Sequence, residues 1–337
     1  VSSTINYKFH IEIMDLSLPI ELEMVVLLLG ISVVMILFSY IVPISPIKAG
    51  ASNLDGWFTP VLLNPAKRQY EIFALQYTVF WIGAFAVVII LQLYEQFDAQ
   101  SYMILCTSLA APYLLQPFVY PMPAERNLPI LLRYSFKANL WIAIFSFIGN
   151  YWYTHYFYSV LNARYTFPAH RFNDVPIALY FATHFYFVTY HTFSNLILRK
   201  IESKYAVGWR RTVFFWLAVL AFSYFTAYME TLTISSFPYY SFKDRAMMYR
   251  LGSAFYGLYF IVSFPAFLRI DEYISIPSTH SGSHGHAILG VLPHSSQQVA
   301  CEALACGMAV LLLLDFCRLG CNIDLTIPGV AYYLYQP

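Results

Sequence analysis

The stretch Met24-Val-Val-Leu-Leu-Leu-Gly-Ile-Ser-Val-Val-Met-Ile-Leu-Phe-Ser-Tyr-Ile-Val-Pro-Ile44 holds no charged residue over a length that, wound as a helix, crosses the ~30 Å hydrocarbon core of a bilayer. It does not stand alone. Seven further apolar runs of similar length follow, at about 72–94, 102–122, 139–160, 175–198, 212–236, 251–269 and 297–319. Of the 337 residues, 59% are hydrophobic and 11% charged, against ~25% charged in an ordinary soluble domain. With a mean hydropathy of +0.57, most of the surface cannot face water. No ten-residue segments of alternating polarity mark a barrel, so the backbone must be satisfied within helices. The expectation is an all-α, polytopic transmembrane helix bundle of about eight spans. Pro43, Pro112, Pro117 and Pro265 fall in or beside spans and predict kinks or broken helices.

Nineteen Lys+Arg and 18 Asp+Glu leave a net charge of +1. No basic stripe is present to hold a phosphate backbone, so nucleic acid is excluded as a partner. Alternating the loops places Lys48, Lys67, Arg68, Arg126, Arg133, Lys137, Arg199, Lys200, Lys204, Arg210, Arg211 and Arg269 on one side, twelve of the 19 basic residues against seven. That side is expected to be cytosolic, with both termini opposite. Cys106, Cys301, Cys306, Cys317 and Cys321 sit in or beside apolar runs and read as small core residues rather than a disulfide framework. The 29 Tyr and 29 Phe exceed what two interfacial belts use. Many must line the bundle interior, where a flat apolar ligand could lie.

The chain opens at Val1, and residues 1–23 carry Glu12, Asp15, Glu21 and Glu23. A leading segment is expected to have been cleaved or to lie outside this sequence. Ser275 to Ser296 is a low-complexity linker with His280, His284, His286 and His294. Imidazoles in a short tract can share a metal ion, but no Cys or carboxylate sits at ligand spacing within it, so it reads as a loop without metal.

Ionisable groups inside spans are costly and usually face a cavity. Ser223, Thr226, Glu230 and Thr233 recur at steps of three and four, which puts them on one helical face. Burial disfavours the charged form of a carboxyl, which suits Glu230 to proton donation; the alternative is a hydrogen bond or ion pair between helices. His184 and His191, with Asn195 one turn on, form a second face; His155, with Tyr151 and Tyr158, forms a third. These histidines can relay protons, or simply bond between helices. Two His at i, i+7 cannot reach one ion, and no Glu-x-x-His pair exists. Phe237 to Arg250 is an aromatic and charged run containing Asp244 and Arg245, expected to cap the bundle mouth. Asp315 and Arg318, at i, i+3, form a local salt bridge. No Gly-rich phosphate loop, His-Glu-x-x-His, Cys-x-x-Cys or Gly-x-Ser-x-Gly occurs, leaving acid–base chemistry.

The strings Asn64-Pro-Ala-Lys-Arg68, Lys137-Ala-Asn-Leu-Trp-Ile142, Gly149-Asn-Tyr-Trp-Tyr-Thr-His155-Tyr-Phe157, Tyr165-Thr-Phe-Pro168, Ala227-Tyr-Met-Glu-Thr231, Phe237-Pro-Tyr-Tyr240, Met248-Tyr-Arg-Leu-Gly252 and Tyr259-Phe-Ile-Val-Ser-Phe-Pro265, with Arg269-Ile-Asp-Glu272, run in order along the chain. Together they resemble the cycloeucalenol cycloisomerase family, the cyclopropyl sterol isomerases of plants and some protists. The resemblance covers about residues 64–272 and resumes weakly at 314–318. Residues 1–63, with their extra span, and the 273–296 linker depart from the pattern; residues 297–337 add a last span and tail.

The resemblance implies opening of a 9β,19-cyclopropane ring to a Δ8 sterol, by a proton delivered to the carbon that becomes C19 and a proton removed from C8. Net redox change is zero, so no cofactor is implied. From chemistry and position, Glu230 is expected to be the acid, and one of His155, His184 or His191 the base or relay. Asp244 would be orienter or acid partner, with Asn150, Tyr151, Tyr239, Tyr240 and Tyr256 against the ligand. The expected partner is a cyclopropyl sterol or membrane lipid, in the endoplasmic reticulum membrane. The alternative is a non-catalytic accessory subunit of a larger membrane complex, docked through residues 1–63 and placed in the mitochondrial inner membrane.

Overall fold

Each of the eight apolar runs falls on helix. The computed structural model describes residues 20–44, 56–160, 162–235, 237–242, 245–276, 288–291 and 293–320. Helix α1 spans Ile20–Ile41, α2 Pro65–Ile90 and α3 Ala99–Val119. Helix α4, Tyr134–Ile148, passes through a π-helical turn at Gly149–Tyr153 into α5, Thr154–Val160. Helices α6, Ile177–Lys204, and α7, Trp209–Ser235, follow. The short α8, Arg245–Met247, runs through a second π-helical turn, Met248–Gly252, into α9, Ser253–Leu268; α10 is Ser296–Gly320. Asn64 starts α2 by accepting the Lys67 backbone N–H at 3.0 Å, with Pro65 at the first helical position.

Among the described residues, six helices are long and apolar enough to cross a membrane: α1, α2, α3, α7, α9 with its π turn, and α10. The polytopic all-α bundle stands, and the count of eight spans is approximate. The two runs that fall short, α4–α5 and α6, owe their polarity to position. Helix α6 packs against α2, α3, α4, α7 and α9, so His184, Thr189, His191, Asn195 and Arg199 are buried against protein rather than lipid. Helix α1 is the opposite case. It packs along α7 and leaves Leu29, Val33, Ile36 and Leu37 exposed.

Prolines are not where the chain breaks. Helix α3 continues through Pro112 and Pro117, and α9 through Pro265; Pro43 lies just beyond α1. The irregularities are the two π turns, which contain no proline. The cysteines also depart from expectation. Cys106 is buried, but Cys301 is exposed and Cys306 and Cys317 are half-buried, because α10 turns Leu304, Met308 and Phe316 outward. Helix α10 approaches α4 closely at Gly307, where an added Cβ would lie 2.5 Å from Ile148 Cδ1.

Among the described residues, three two-stranded antiparallel ladders join the helices: β1 (Arg164–Tyr165) with the strand Tyr240–Ser241, β2 (Arg171–Phe172) with β3 (Val175–Pro176), and the strands Tyr273–Ile276 and Ile288–Val291 with each other. The strands Tyr240–Ser241, Tyr273–Ile276 and Ile288–Val291 are β4, β5 and β6 in chain order. The β5–β6 ladder corrects the reading of 273–296 as plain loop. His280, His284, His286 and Cys321 lie outside the described residues, as do residues 1–19 and 45–55 of the N-terminal extension.

One end of the bundle is tied by a buried ion network. Arg199 on α6 grips Glu71 on α2 through Nη2–Oε1 at 2.6 Å and Nη1–Oε2 at 3.1 Å, and Glu272 through Nη2–Oε2 at 2.8 Å. Lys67 Nζ meets Glu272 at 2.8 Å and donates to the Leu268 and Ile270 carbonyls at 2.7 Å each, capping the end of α9. Lys137 on α4 pairs with Asp271, which also accepts the His294 backbone N–H at 2.7 Å. Lys67, Glu71 and Arg199 are no more than 1% exposed. Three basic residues counted as loop charges are thus internal and paired. Their positions within helices, facing acids distant in sequence, carry no local signature.

Candidate active site

Glu230 is turned into the bundle. Ser223 and Thr226 on its α7 face are buried, whereas Thr233 is exposed and donates to the Met229 and Glu230 carbonyls. The Glu230 carboxyl accepts a hydrogen bond from the Tyr256 hydroxyl of α9 at 2.8 Å, with Tyr190 of α6 nearby. It lines a cavity of about 90 Å³.

Both π turns form the cavity wall, through Gly149, Asn150 and Tyr153 on one side and Met248 on the other. A π turn widens the helix and re-aims side chains, and such turns recur at functional sites. Gly149 is required by close approach, because an added Cβ would lie 2.3 Å from the Tyr259 hydroxyl. That hydroxyl donates to the Phe145 carbonyl at 2.5 Å. Asn150 donates to the Ser146 carbonyl at 2.9 Å and accepts from Thr183 at 3.3 Å.

The β1–β4 ladder caps the cavity with Tyr165 and Tyr240, whose rings lie 4.7 Å apart. Burial pushes both phenols up from their ordinary values, so they stay neutral. Beside them, Tyr239 turns away to donate to Glu95 Oε2 at 2.7 Å. The Tyr153 hydroxyl, buried in the wall, has no hydrogen-bond partner among the described residues.

Four residues singled out from the sequence therefore meet at one cavity: Glu230, Asn150, Tyr240 and Tyr256. Tyr151 and Tyr239 are not among its lining residues; Tyr151 stacks on Phe147 at 5.6 Å. None of the three histidines lines it either. His155 Nε2 bonds to the Asn173 carbonyl at 3.0 Å, and His184 Nε2 to Asn139 Oδ1 at 2.9 Å. His191 is engaged at both ring nitrogens, by the Phe187 carbonyl at 2.7 Å and Ser263 at 2.9 Å. Asp244 lies outside the described residues.

Helical periodicity explains the residues that were overlooked. On α6 the face reaching the site is Thr183, Phe187 and Tyr190, one position, about 100°, around from His184 and His191. In the first π turn and α5 it is Gly149, Asn150, Tyr153, Thr154 and Phe157, opposite the Tyr151–His155–Tyr158 face. Both faces are polar and aromatic, and spacing alone does not say which turns inward.

The fold and this cavity define a polytopic helical membrane protein that sets a carboxyl in a tyrosine-lined cavity inside the bundle. The chain is 41% identical over 277 residues to the cycloeucalenol cycloisomerase of Arabidopsis thaliana, a match covering 80% of this chain and 91% of that protein. It belongs to the cycloeucalenol cycloisomerase family. No family model matches the chain, and no solved structure matches it.

Proposed function

We propose that this protein is an intramolecular isomerase that opens the 9β,19-cyclopropane ring of a cyclopropyl sterol to a Δ8 sterol, with Glu230 as the proton donor. The observation carrying this reading is Glu230, the one carboxyl among the described residues lining a tyrosine-rich cavity, in a chain whose relative is named a cycloeucalenol cycloisomerase. Cyclopropane carbon is a very weak base, so ring opening calls for an acid held in place out of bulk water. The cation left at C9 calls for stabilisation without a nucleophile. Aromatic faces supply it, and Tyr153, Phe157, Tyr256 and Tyr259 surround the cavity.

About 90 Å³ is well under the ~300–1,000 Å³ of sites that enclose a ligand of this size. The sterol rings therefore enter only when a wall moves. The two-residue β1–β4 ladder, tethered to the loop after α2 by the Tyr239–Glu95 bond, is the boundary we assign to that movement. A substrate dissolved in lipid suits a membrane-embedded site, and we place the protein in the endoplasmic reticulum membrane.

The test is to feed a cyclopropyl sterol to the purified protein in deuterated water and analyse the product by mass spectrometry. The expected product is a Δ8 sterol with one deuterium in its C19 methyl group. In a single turnover of protein equilibrated beforehand in deuterated water, a Δ8 product without that label would rule out proton delivery from an exchangeable group. A protein that neither binds nor converts the sterol would be the accessory subunit instead.

A further inference from the structure

Resting on the isomerase reading, we infer that Glu230 performs both proton transfers: it is the acid that protonates C19 and, once ionised, the base that takes the proton from C8. Among the described residues lining the cavity, Glu230 carries the only carboxyl, and no Lys, Arg, His or Cys accompanies it. Among the described residues, the titratable groups near it are tyrosines from several elements. They are Tyr153 from the first π turn, Tyr165 from β1, Tyr186 and Tyr190 from α6, Tyr240 from β4 and Tyr256 from α9. A neutral phenol oxygen is a much weaker base than a carboxylate. The candidate histidines are occupied elsewhere, His191 at both nitrogens.

The substrate's stereochemistry permits one residue to do both steps. In a 9β,19-cyclopropyl sterol, C19 and the C8 hydrogen project from the same face, and both C19 and C8 are bonded to C9. A carboxyl lying over that face reaches both. In the first step the Glu230 proton bonds to C19 using the electron pair of the C9–C19 bond, which breaks. This leaves a cation at C9 and a carboxylate at Glu230. In the second step the C8–H bond breaks, its electron pair becomes the C8=C9 double bond, and the proton returns to Glu230. The enzyme ends as it began, with no other proton carrier consumed. Tyr256, donating to the carboxyl, is positioned to stabilise its transient negative charge.

The pH dependence of kcat/KM separates one group from two. If Glu230 serves in both roles, only its protonated form starts the cycle, so the rate falls on the alkaline side alone and stays level toward acid. A separate base, whether a histidine or Asp244, must start unprotonated and adds an acidic limb. The measurement is made on the intact protein in lipid nanodiscs, with each acid-treated sample also assayed after return to neutral pH. The expected result is a one-sided profile, which Glu230→Asp retains at a lower rate. An acidic limb that reverses on neutralisation, or one that disappears in His155→Gln or Asp244→Asn, overturns the single-carboxyl assignment and leaves the isomerase reading intact. Absence of turnover in the wild-type protein defeats the isomerase reading on which it rests.

Discussion

Glu230 stands out in the sequence because a carboxylate in a span is expensive in lipid and its neighbours at three- and four-residue steps are polar. The cavity around it adds Tyr256 as its hydrogen-bond donor. Glu230→Gln keeps shape and hydrogen bonding but removes the transferable proton, so turnover is expected to fall by ~10² or more while sterol binding, read by equilibrium titration, barely changes. Unaltered turnover would move the acid elsewhere. Tyr256→Phe deletes one donor to the carboxyl. A hydrogen bond to a charged group is worth about 1.5 kcal/mol or more, so a loss of roughly tenfold in kcat with little change in KM is expected. The opposite split, KM rising with kcat preserved, would make Tyr256 a ligand contact alone.

The π turns were not legible, because a one-residue widening within an apolar aromatic run leaves no signature like that of proline or a cap. Their dependence on packing is testable at Gly149. Gly149→Ala places a methyl group 2.3 Å from the Tyr259 hydroxyl, which is itself held by the Phe145 carbonyl and has little room to retreat. Overpacking of this kind costs about 1–3 kcal/mol. A lower melting temperature and reduced isomerase activity are expected together, and a variant as stable and as active as wild type would show that the turn relaxes freely. The prolines carry the complementary lesson. Proline weakens a helix by removing a hydrogen bond, but α3 and α9 continue past theirs because packing against neighbours supplies stability that the local sequence lacks.

Across the bundle, the ion network joins the end of α9 to α2, α4 and α6. Breaking a buried pair by removing one partner costs about 3–5 kcal/mol. Arg199→Met strands Glu71 and leaves Glu272 to Lys67 alone, so a large drop in thermal stability in nanodiscs is expected; a shift within error would assign the network no structural weight. Acid should act on the same network. Burial alone would raise the Glu272 pKa, but Lys67 and Arg199 outweigh it and hold the carboxyl below its usual range. A carboxyl depressed in the folded state contributes stability above the unfolded value of ~4.3. That contribution disappears as pH falls through the lower folded value. Melting temperature followed downward from pH 6 is expected to decline below about pH 4, and the decline should be weaker in Glu272→Gln.

Span positions, the helical class, family membership and the candidate carboxyl are all written in stretches of some twenty residues or in ordered strings. Transfer to lipid is nearly additive along a local segment, and a helix needs no partner to satisfy its backbone. The inward face of each helix is a different kind of property. Whether Tyr153 or Tyr151 turns to the cavity, and whether Tyr190 or His191 meets Glu230, depends on a rotation of about 100° or more that only neighbouring helices select. Arg199 finds Glu71 across 128 residues and Lys137 finds Asp271 across 134. Those pairs exist because packing excludes water from both partners at once, a condition set by the assembled bundle and absent from any single segment.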